Sequence, residues 1–301
     1  MVLTRKNLKG SIVALVSPFR QGKIDEAGFQ KLIDWHIANG TDMIVPCGTT
    51  GEAATMSHDE HKRVMSLVID YVNQRVPVIC GAGSNATAEA IELCEYAEKI
   101  GADGLLIVTP YYNKPPQEGL YRHYEAIAKK VNVPIIIYNV PGRTGICISP
   151  KTIQRLSKID QFIGVKEASG QLDMTNEIVA MTDLAVLSGD DALTLPLLSA
   201  GARGVISVTA NVAPKLMRDM VHAALDGDLG KASKIHQALF PLSKTLFIET
   251  NPIPVKTALE EMGLIHAEFR LPLCEMGAEN RKKLKAVLQS SGLLEGAQAR
   301  G

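Results

Sequence analysis

The chain has 301 residues, with 32 Lys and Arg against 32 Asp and Glu and an apolar fraction of 46%. Zero net charge without long runs of one sign gives no indication of a nucleic-acid or membrane-surface partner. The longest apolar runs are too short to span a bilayer, and the N-terminus lacks the apolar core of a signal peptide. The five scattered cysteines predict free thiols in a reducing cytoplasm rather than a disulfide framework or a zinc site. They are Cys47, Cys80, Cys94, Cys147 and Cys274.

Eight short β-rich runs lie in the first three-quarters of the chain, and a turn and an amphipathic segment follow each of them. The runs are Ile12–Val16, Met43–Pro46, Val76–Cys80, Gly104–Val108, Ile135–Tyr138, Phe162–Val165, Ala185–Leu187 and Gly204–Val208. This repeat predicts an α/β fold, a (β/α)8 or TIM barrel. A doubly wound open sheet is the second candidate, but no G-x-G-x-x-G loop follows the first strand.

The strands stop near Gly227, and the remainder of the chain reads as helical. The predicted helices are Leu229–Phe247, Pro254–Met262 and Glu279–Ser291. We therefore assign residues 1–227 to the catalytic barrel and residues 228–301 to a small C-terminal helical subdomain, with a frayed tail at 296–301.

A lysine stands at the end of the sixth apolar run, where the strand gives way to a turn. Lys166 is a nucleophile only when neutral, and at an unperturbed pKa about one amine in a thousand is neutral at physiological pH. Partial burial lowers the pKa of a lysine and permits Schiff-base chemistry. Side-chain alternation places Glu167 on the opposite face of the strand. Taken alone, Lys166 is more simply explained as a lysine that snorkels or pairs with a carboxylate.

Polar side chains follow three other predicted strands. The loop at 48–52, Gly-Thr-Thr-Gly-Glu, suits an anion, although a plain turn explains it equally well. Tyr111 and Tyr112 lie in a Pro-rich loop, where they either pack on the surface or supply a phenol for proton transfer. Tyr138 ends the fifth strand and points to the cleft of Lys166. Arg143 either clamps a carboxylate or is a solvated loop charge.

Two further pairs of polar residues allow more than one interpretation. Asp190 and Asp191 could do acid–base work, but a helix N-cap is the favoured role. His58 and His61 lie on one helical face, just after a capping box that begins at Ser57. They could form half a metal site, but no third ligand is evident, and a solvated pair is the default interpretation.

Six motifs together resemble the dihydrodipicolinate synthase (4-hydroxy-tetrahydrodipicolinate synthase) family. They are GTTGE at 48–52, PYYNKP at 110–115, YNVPGRTG at 138–145, GVKEASG at 164–170, GDD at 189–191 and GVISVTAN at 204–211. The resemblance runs from about Gly10 through the helical subdomain, where NPIPVK at 251–256 also matches. The lysine and the tyrosine are shared with a wider superfamily that includes N-acetylneuraminate lyase. The second Thr of GTTGE, the double tyrosine and the arginine are more specific to the synthase.

The resemblance implies a class I aldolase reaction on Lys166, with no metal and no organic cofactor because the iminium is the electron sink. The amine forms an imine with pyruvate, the derived enamine attacks L-aspartate 4-semialdehyde, and the adduct closes into a ring. Tyr138 is expected to move protons, and Thr49 and Tyr112 to complete the relay, with Tyr112 reaching in from a neighbouring subunit.

The resemblance also implies the substrate contacts. Thr50 and its loop are expected to hold the pyruvate carboxylate, with Ile206 contributing from the eighth strand and Gly189 in the same site. Arg143 is expected to bind the carboxylate of L-aspartate 4-semialdehyde. The second candidate function is another pyruvate-dependent lyase, similar to N-acetylneuraminate lyase, which would share Lys166 without needing Arg143. A non-catalytic barrel that binds or scaffolds is the candidate from a different class.

Feedback inhibition by L-lysine and a homotetramer, built as a dimer of dimers, are further implications of the resemblance. The residues expected to bind L-lysine are Ala54, His58, His61, Asn85, Glu89 and Tyr111. Under this interpretation the two histidines become a ligand-binding pair near a subunit interface. Tyr111 adjoins Tyr112, which would link the inhibitor to the proton relay.

Overall fold

A closed ring of eight parallel strands forms the centre of the computed structural model, which describes residues 2–294. The strands are β1 (Gly10–Ala14), β2 (Met43–Val45), β3 (Ile79–Gly81), β4 (Gly104–Val108), β5 (Ile135–Asn139), β6 (Phe162–Glu167), β7 (Ala185–Ser188) and β8 (Gly204–Ser207). They are hydrogen-bonded in the order β2-β1-β8-β7-β6-β5-β4-β3. A parallel bridge between Ile44 and Val78 joins β2 to β3 and closes the ring. The predicted (β/α)8 barrel is confirmed.

Eight helices alternate with these strands. They are α1 (Glu26–Ala38), α2 (His58–Val72), α3 (Thr87–Lys99), α4 (Gln117–Ala128), α5 (Pro150–Leu156), α6 (Leu172–Met181), α7 (Thr194–Ser199) and α8 (Pro214–Leu225). A short hairpin, Phe19–Arg20 with Lys23–Ile24, lies between β1 and α1, and a single helical turn, Pro141–Thr144, follows β5. Within residues 2–294, no helix combines the length and the apolar character needed to cross a membrane.

The first strand begins two residues before its predicted start. Gly10 pairs in register with Gly204, and a Cβ on Gly204 would lie 2.2 Å from the carbonyl oxygen of Gly10. Two glycines therefore allow the close approach of β1 and β8 at this point. An apolar run cannot indicate such a pairing, because glycine contributes no side chain to the pattern.

Apolar side chains pack on both faces of the sheet, which explains why the strands are almost continuously apolar. In β5, Ile136 and Tyr138 belong to the cluster inside the barrel, whereas Ile135 and Ile137 belong to the cluster between the strands and the helices. This alternation has a period of two residues. It directs the phenol of Tyr138 inward.

Up to residue 294, where the described chain ends, three helices follow the barrel, as predicted: α9 (Leu229–Thr245), α10 (Ile253–Glu261) and α11 (Ala278–Ser290). Each boundary lies within two residues of its predicted position. Helix α10 is buried from Ile253 to Leu259. The division of the chain at residue 227 stays a prediction, and the tail at 296–301 lies outside the described residues.

Candidate active site

Lys166 and Tyr138 lie side by side at the carboxyl ends of β6 and β5. They are register partners in the parallel ladder, and the Lys166 Nζ lies 4.2 Å from the centroid of the Tyr138 ring. Lys166 is 6% exposed and Tyr138 is 7% exposed. A primary amine and a phenol are thus held together where the catalytic groups of such barrels are found. A nucleophile and a proton donor could act there on one carbonyl group.

Gly189, just after β7, leaves space for the lysine. A Cβ at this position would lie 3.0 Å from the Cε of Lys166 and 2.7 Å from the Cβ of Ala168. Ile206 on β8 is buried in the same inner cluster as Tyr138. Gly189 therefore lies against Lys166, and Ile206 lies in the same cluster as Tyr138.

A hydrogen-bonded network on the outer face of the same two strands fixes their ends. The Asn139 Nδ2 donates to the Glu167 Oε2 at 2.9 Å, and the Ser169 backbone N–H donates to the Glu167 Oε1 at 2.5 Å. Burial raises the pKa of the Glu167 carboxyl, against the lowering effect of these bonds. Glu167 thus faces away from the cleft, as predicted. Sequence reasoning did not single out Asn139, although it follows Tyr138 directly.

The loop at 48–52 is held at its two sides. The Ser17 Oγ donates to the Gly51 carbonyl oxygen at 2.7 Å, and the Glu52 N–H donates to the Thr49 carbonyl oxygen at 3.1 Å. Thr50 is buried, and its Oγ1 accepts a hydrogen bond of 3.1 Å from the Asn251 Nδ2. These bonds therefore hold the loop as a fixed turn after β2.

Asn251, just before α10, connects two of the predicted substrate contacts. Besides the bond to Thr50, its carbonyl oxygen accepts a hydrogen bond of 3.1 Å from an Arg143 Nη. Arg143 lies on the single helical turn after β5, and its side chain is exposed. Sequence reasoning placed Asn251 within a matching motif but gave it no role. Its contacts depend on how α10 packs against the barrel.

A cavity of about 530 Å³ opens above these groups. Thr49, Tyr138 and Arg143 line it. The same cavity is also lined by Ala54, His58, His61, Glu89 and Tyr111. Two of the four predicted catalytic residues and five of the six predicted lysine-binding residues therefore line one continuous cavity. Tyr138 lines the cavity, and Lys166 lies behind it, with its amine against the Tyr138 ring.

The two histidines on α2 have different surroundings. The predicted capping box is present, since Ser57 and Glu60 exchange hydrogen bonds at the start of the helix. The His61 Nε2 donates to the Gly81 carbonyl oxygen at 2.7 Å, and burial lowers the pKa of this imidazole. The His58 Nε2 lies 3.9 Å from the Glu89 Oε2. The interpretation as a solvated pair is wrong for His61, because its side chain is buried and bonded to the backbone of β3.

Two neighbouring tyrosines point in different directions. Tyr111 lines the cavity, and its carbonyl oxygen accepts a hydrogen bond of 3.1 Å from the Asn85 Nδ2. Asn85 supports Tyr111 without lining the cavity itself. Tyr112 has a left-handed backbone, with φ of 71°, and is 90% exposed. Its phenol lies outside the cavity of its own chain.

Asp190 and Asp191, which follow β7, have different roles. Asp190 accepts a hydrogen bond from the Ala192 N–H and caps a short 3-10 helix, as predicted. Asp191 is buried, and its Oδ2 accepts from the N–H groups of Val208 (3.0 Å) and Thr209 (2.9 Å). Burial raises the pKa of the Asp191 carboxyl, against the effect of these bonds. Asp191 therefore fixes the segment that follows β8.

The fold and the site define a (β/α)8-barrel enzyme with a buried lysine at the carboxyl end of the sixth strand. Residues 7–291 match the model of the dihydrodipicolinate synthetase family. The chain is 55% identical over 289 residues to 4-hydroxy-tetrahydrodipicolinate synthase of Thermodesulfovibrio yellowstonii, covering 95% of this chain and 99% of the relative. The chain belongs to the dihydrodipicolinate synthetase family.

Two solved structures have backbones closely similar to that of this chain. The chloride-inhibited dihydrodipicolinate synthase of Acinetobacter baumannii, complexed with pyruvate, is 47% identical with a TM-score of 0.94, over 96% of this chain and 100% of that one. The enzyme of Cyanidioschyzon merolae with lysine bound is 40% identical with a TM-score of 0.93, over 95% of this chain and 99% of that one. The resemblance seen in the motifs is thereby confirmed.

Proposed function

We propose that this protein carries out the 4-hydroxy-tetrahydrodipicolinate synthase reaction through an imine on Lys166. The activity itself is that of the family, a lyase reaction of lysine and diaminopimelate biosynthesis, and the similar relative bears that name. The observation that carries the mechanism is the Lys166 amine against the Tyr138 ring, 4.2 Å from its centroid. The comparisons support the synthase and not the N-acetylneuraminate lyase-like alternative.

The neutral Lys166 amine attacks the keto carbon of pyruvate, and loss of water leaves an iminium. Tyr138 transfers protons to and from the keto oxygen of pyruvate, which leaves as water. The iminium withdraws electrons from the adjacent methyl group, which loses a proton to give an enamine. The enamine carbon attacks the aldehyde of L-aspartate 4-semialdehyde. The amino group of the adduct then attacks the iminium carbon, closes the ring and releases Lys166. Because the iminium is the electron sink, the scheme needs no metal and no organic cofactor.

Two contacts orient the substrates in this scheme. Thr50, fixed by Asn251, and the loop at 48–52 hold the pyruvate carboxylate, while Ile206 and Gly189 shape the pocket around its methyl group. Arg143 uses only one Nη for Asn251, so the rest of its guanidinium is available for the carboxylate of the aldehyde.

The proposed function is tested by supplying pyruvate with L-aspartate 4-semialdehyde and, separately, N-acetylneuraminate. We expect turnover of the first pair and no cleavage of the sugar acid. Borohydride added to enzyme and pyruvate should trap one pyruvate-derived adduct on Lys166, located by peptide mass spectrometry. Turnover without any such adduct would contradict the imine mechanism, and cleavage of N-acetylneuraminate alone would favour the alternative.

We further propose that Tyr112 completes the proton relay, with Thr49, in the site of a partner subunit within a homotetramer. The phenol is 90% exposed and outside its own cavity, and an aromatic ring this exposed gains from burial in an interface.

Mixed protomers test this placement of Tyr112. Tyr112→Phe and Lys166→Ala should each be nearly inactive alone. If the relay crosses subunits, co-expression of the two variants restores one intact site in each mixed dimer. We expect activity well above either variant alone. Activity no higher than that of the separate variants, or a monomer in sedimentation, would contradict the shared site.

L-lysine inhibition is proposed from a second group of residues that line the cavity. His58, His61 and Tyr111 line it, and the Glu89 carboxylate there accepts a bond from the Ser84 Oγ at 2.7 Å. A carboxylate beside aromatic rings suits a ligand with a free ammonium group.

We expect millimolar L-lysine to slow the parent enzyme and to slow Glu89→Ala far less. Glu92→Ala is the matched control, because Glu92 lies on the same helix but pairs with Lys62 at the surface. Steady-state rates across a lysine titration give the measurement. A parent enzyme whose rate does not change at high lysine would rule out this regulation.

A cytoplasmic location remains a proposal. All five cysteines are unpaired, and Cys47, Cys80 and Cys94 are buried, which suits a reducing compartment. Fractionation of cells that express the tagged chain would test it, and recovery outside the cytoplasmic fraction would contradict it.

A further inference from the structure

We propose that the buried ion pair between Glu52 and Lys256 positions the pyruvate-binding loop. Lys256 lies on α10, and Glu52 closes the loop at 48–52, so the pair ties a C-terminal helix to the barrel mouth. This role rests on the proposed binding of pyruvate by that loop. Glu52 and Lys256 are positioning residues, because they act through Thr49 and Thr50.

The lysine end of the pair is held on several sides. The Lys256 Nζ donates to the Glu52 Oε1 at 2.5 Å and to the Glu268 carbonyl oxygen at 2.5 Å. It also lies over two aromatic rings, 4.5 Å from the centroid of Phe19 and 5.1 Å from that of Phe269. The side chains of Glu52 and Lys256 are fully buried. The ammonium group therefore occupies one defined position.

The backbone of Glu52 connects the ion pair to the loop at 48–52. Glu52 has a left-handed backbone, with φ of 55°, which is costly for a residue that carries a Cβ. Its N–H donates to the Thr49 carbonyl oxygen, and its own carbonyl oxygen accepts from the N–H and Oγ1 of Thr55. Holding the carboxylate in place thus maintains the turn that presents Thr49 and Thr50.

A contribution to folding stability does not by itself explain why a buried ion pair occupies this position. Burial raises the pKa of Glu52 and lowers that of Lys256, in each case against the effect of the partner's charge. Desolvation therefore opposes both charged forms, and neutral or apolar pairs of similar size often stabilise a fold as well or better. The ion pair instead fixes the position of the loop at 48–52 relative to α10. The same segment contacts the loop twice, since Asn251 binds Thr50 five residues before Lys256.

The double variant Glu52→Gln/Lys256→Met separates positioning from stability. It leaves no unpaired buried charge, so we expect a melting temperature close to that of the parent. Without the tether, the pyruvate concentration that gives half-maximal borohydride labelling of Lys166 should rise by about 10-fold. The KM for pyruvate should rise in parallel, with a smaller change in kcat, because the carboxylate is bound in both the ground state and the transition state.

Two further variants complete the test. Glu52→Gln alone keeps an acceptor for the Lys256 amine and should give an intermediate shift, but it leaves the Lys256 charge unpaired and should melt below the double variant. If either variant folds poorly, labelling at a lower temperature, at which its circular dichroism matches that of the parent, provides the readout. Arg281→Met/Glu261→Gln removes another ion pair of α10, of 2.7 Å, at the end away from the loop. This control should leave the half-saturating pyruvate concentration unchanged.

The outcomes distinguish this inference from the function on which it rests. A parent protein that gives no pyruvate adduct contradicts both. A labelled parent and a stable double variant with the same half-saturating pyruvate concentration contradict the positioning role alone. A melting temperature that falls without any shift in pyruvate binding likewise assigns the pair to stability and overturns the inference.

Discussion

Replacing Lys166 with alanine is expected to abolish the borohydride-trapped pyruvate adduct and to lower kcat on the order of 10³-fold. The amine is the group that we propose to form the imine, and within residues 2–294 Lys166 is the lysine whose amine lies against the Tyr138 ring. Without the iminium, the methyl protons of pyruvate lose their electron sink. Intact-protein mass after reduction and steady-state kinetics provide the two measurements.

Lys166→Arg separates charge from nucleophilicity, because a guanidinium stays protonated at physiological pH. It should be as unreactive towards pyruvate as the alanine variant. Lys23→Ala, in the exposed hairpin after β1, is the control and should be labelled like the parent. An adduct that persists in Lys166→Ala, mapped to another lysine, would refute the assignment of the nucleophile.

Arg143→Ala is expected to lower kcat/KM for L-aspartate 4-semialdehyde by about 10²-fold while leaving the pyruvate adduct intact. The guanidinium lies at the cavity wall, and among the described residues its one hydrogen-bond partner is the Asn251 carbonyl oxygen. A charge-assisted, bidentate bond to a carboxylate is worth about 1.5–3 kcal/mol, which sets this magnitude. Varying each substrate in turn shows which binding step is affected.

Arg143→Lys should restore only part of the lost kcat/KM, since an ammonium group keeps the charge but cannot bind a carboxylate in bidentate fashion. Arg122→Ala, an exposed arginine on α4, is the control and should match the parent. An equal loss for pyruvate and for the aldehyde would show that Arg143 shapes the whole site instead of binding the second substrate. This variant also discriminates the synthase from a sugar-acid lyase, which would not require the arginine.

The site draws on parts of the chain that are far apart in sequence. Lys166 and Tyr138 come from adjacent strands, whereas Asn251 and Lys256 come from the segment that follows α9. Deleting the C-terminal helices would therefore remove supports of Thr50 and Glu52 as well as apolar packing. For this enzyme, the helical region is part of the active site's framework.

Local sequence patterns were enough to predict the barrel and the direction of its key side chains. Eight apolar runs separated by amphipathic segments define the strands, because both faces of a parallel sheet are buried. The two-residue period of a strand then places Lys166 inside and Glu167 outside, which the bonds of Glu167 to Asn139 and Ser169 confirm. These features depend on neighbours along the chain, and so they are visible in it. The motif resemblance added the family, which the comparisons confirm.

The contacts between segments that are distant in sequence are visible in the folded structure alone. The bonds of Asn251 to Thr50 and of Lys256 to Glu52 span 201 and 204 residues, and neither has a periodic signal. The inward direction of His61 and the continuity of the cavity from Tyr138 to Glu89 likewise depend on how α2, α3 and α10 pack. Contacts of this kind are set by the packing of whole elements and by loop conformation, which local sequence patterns do not encode.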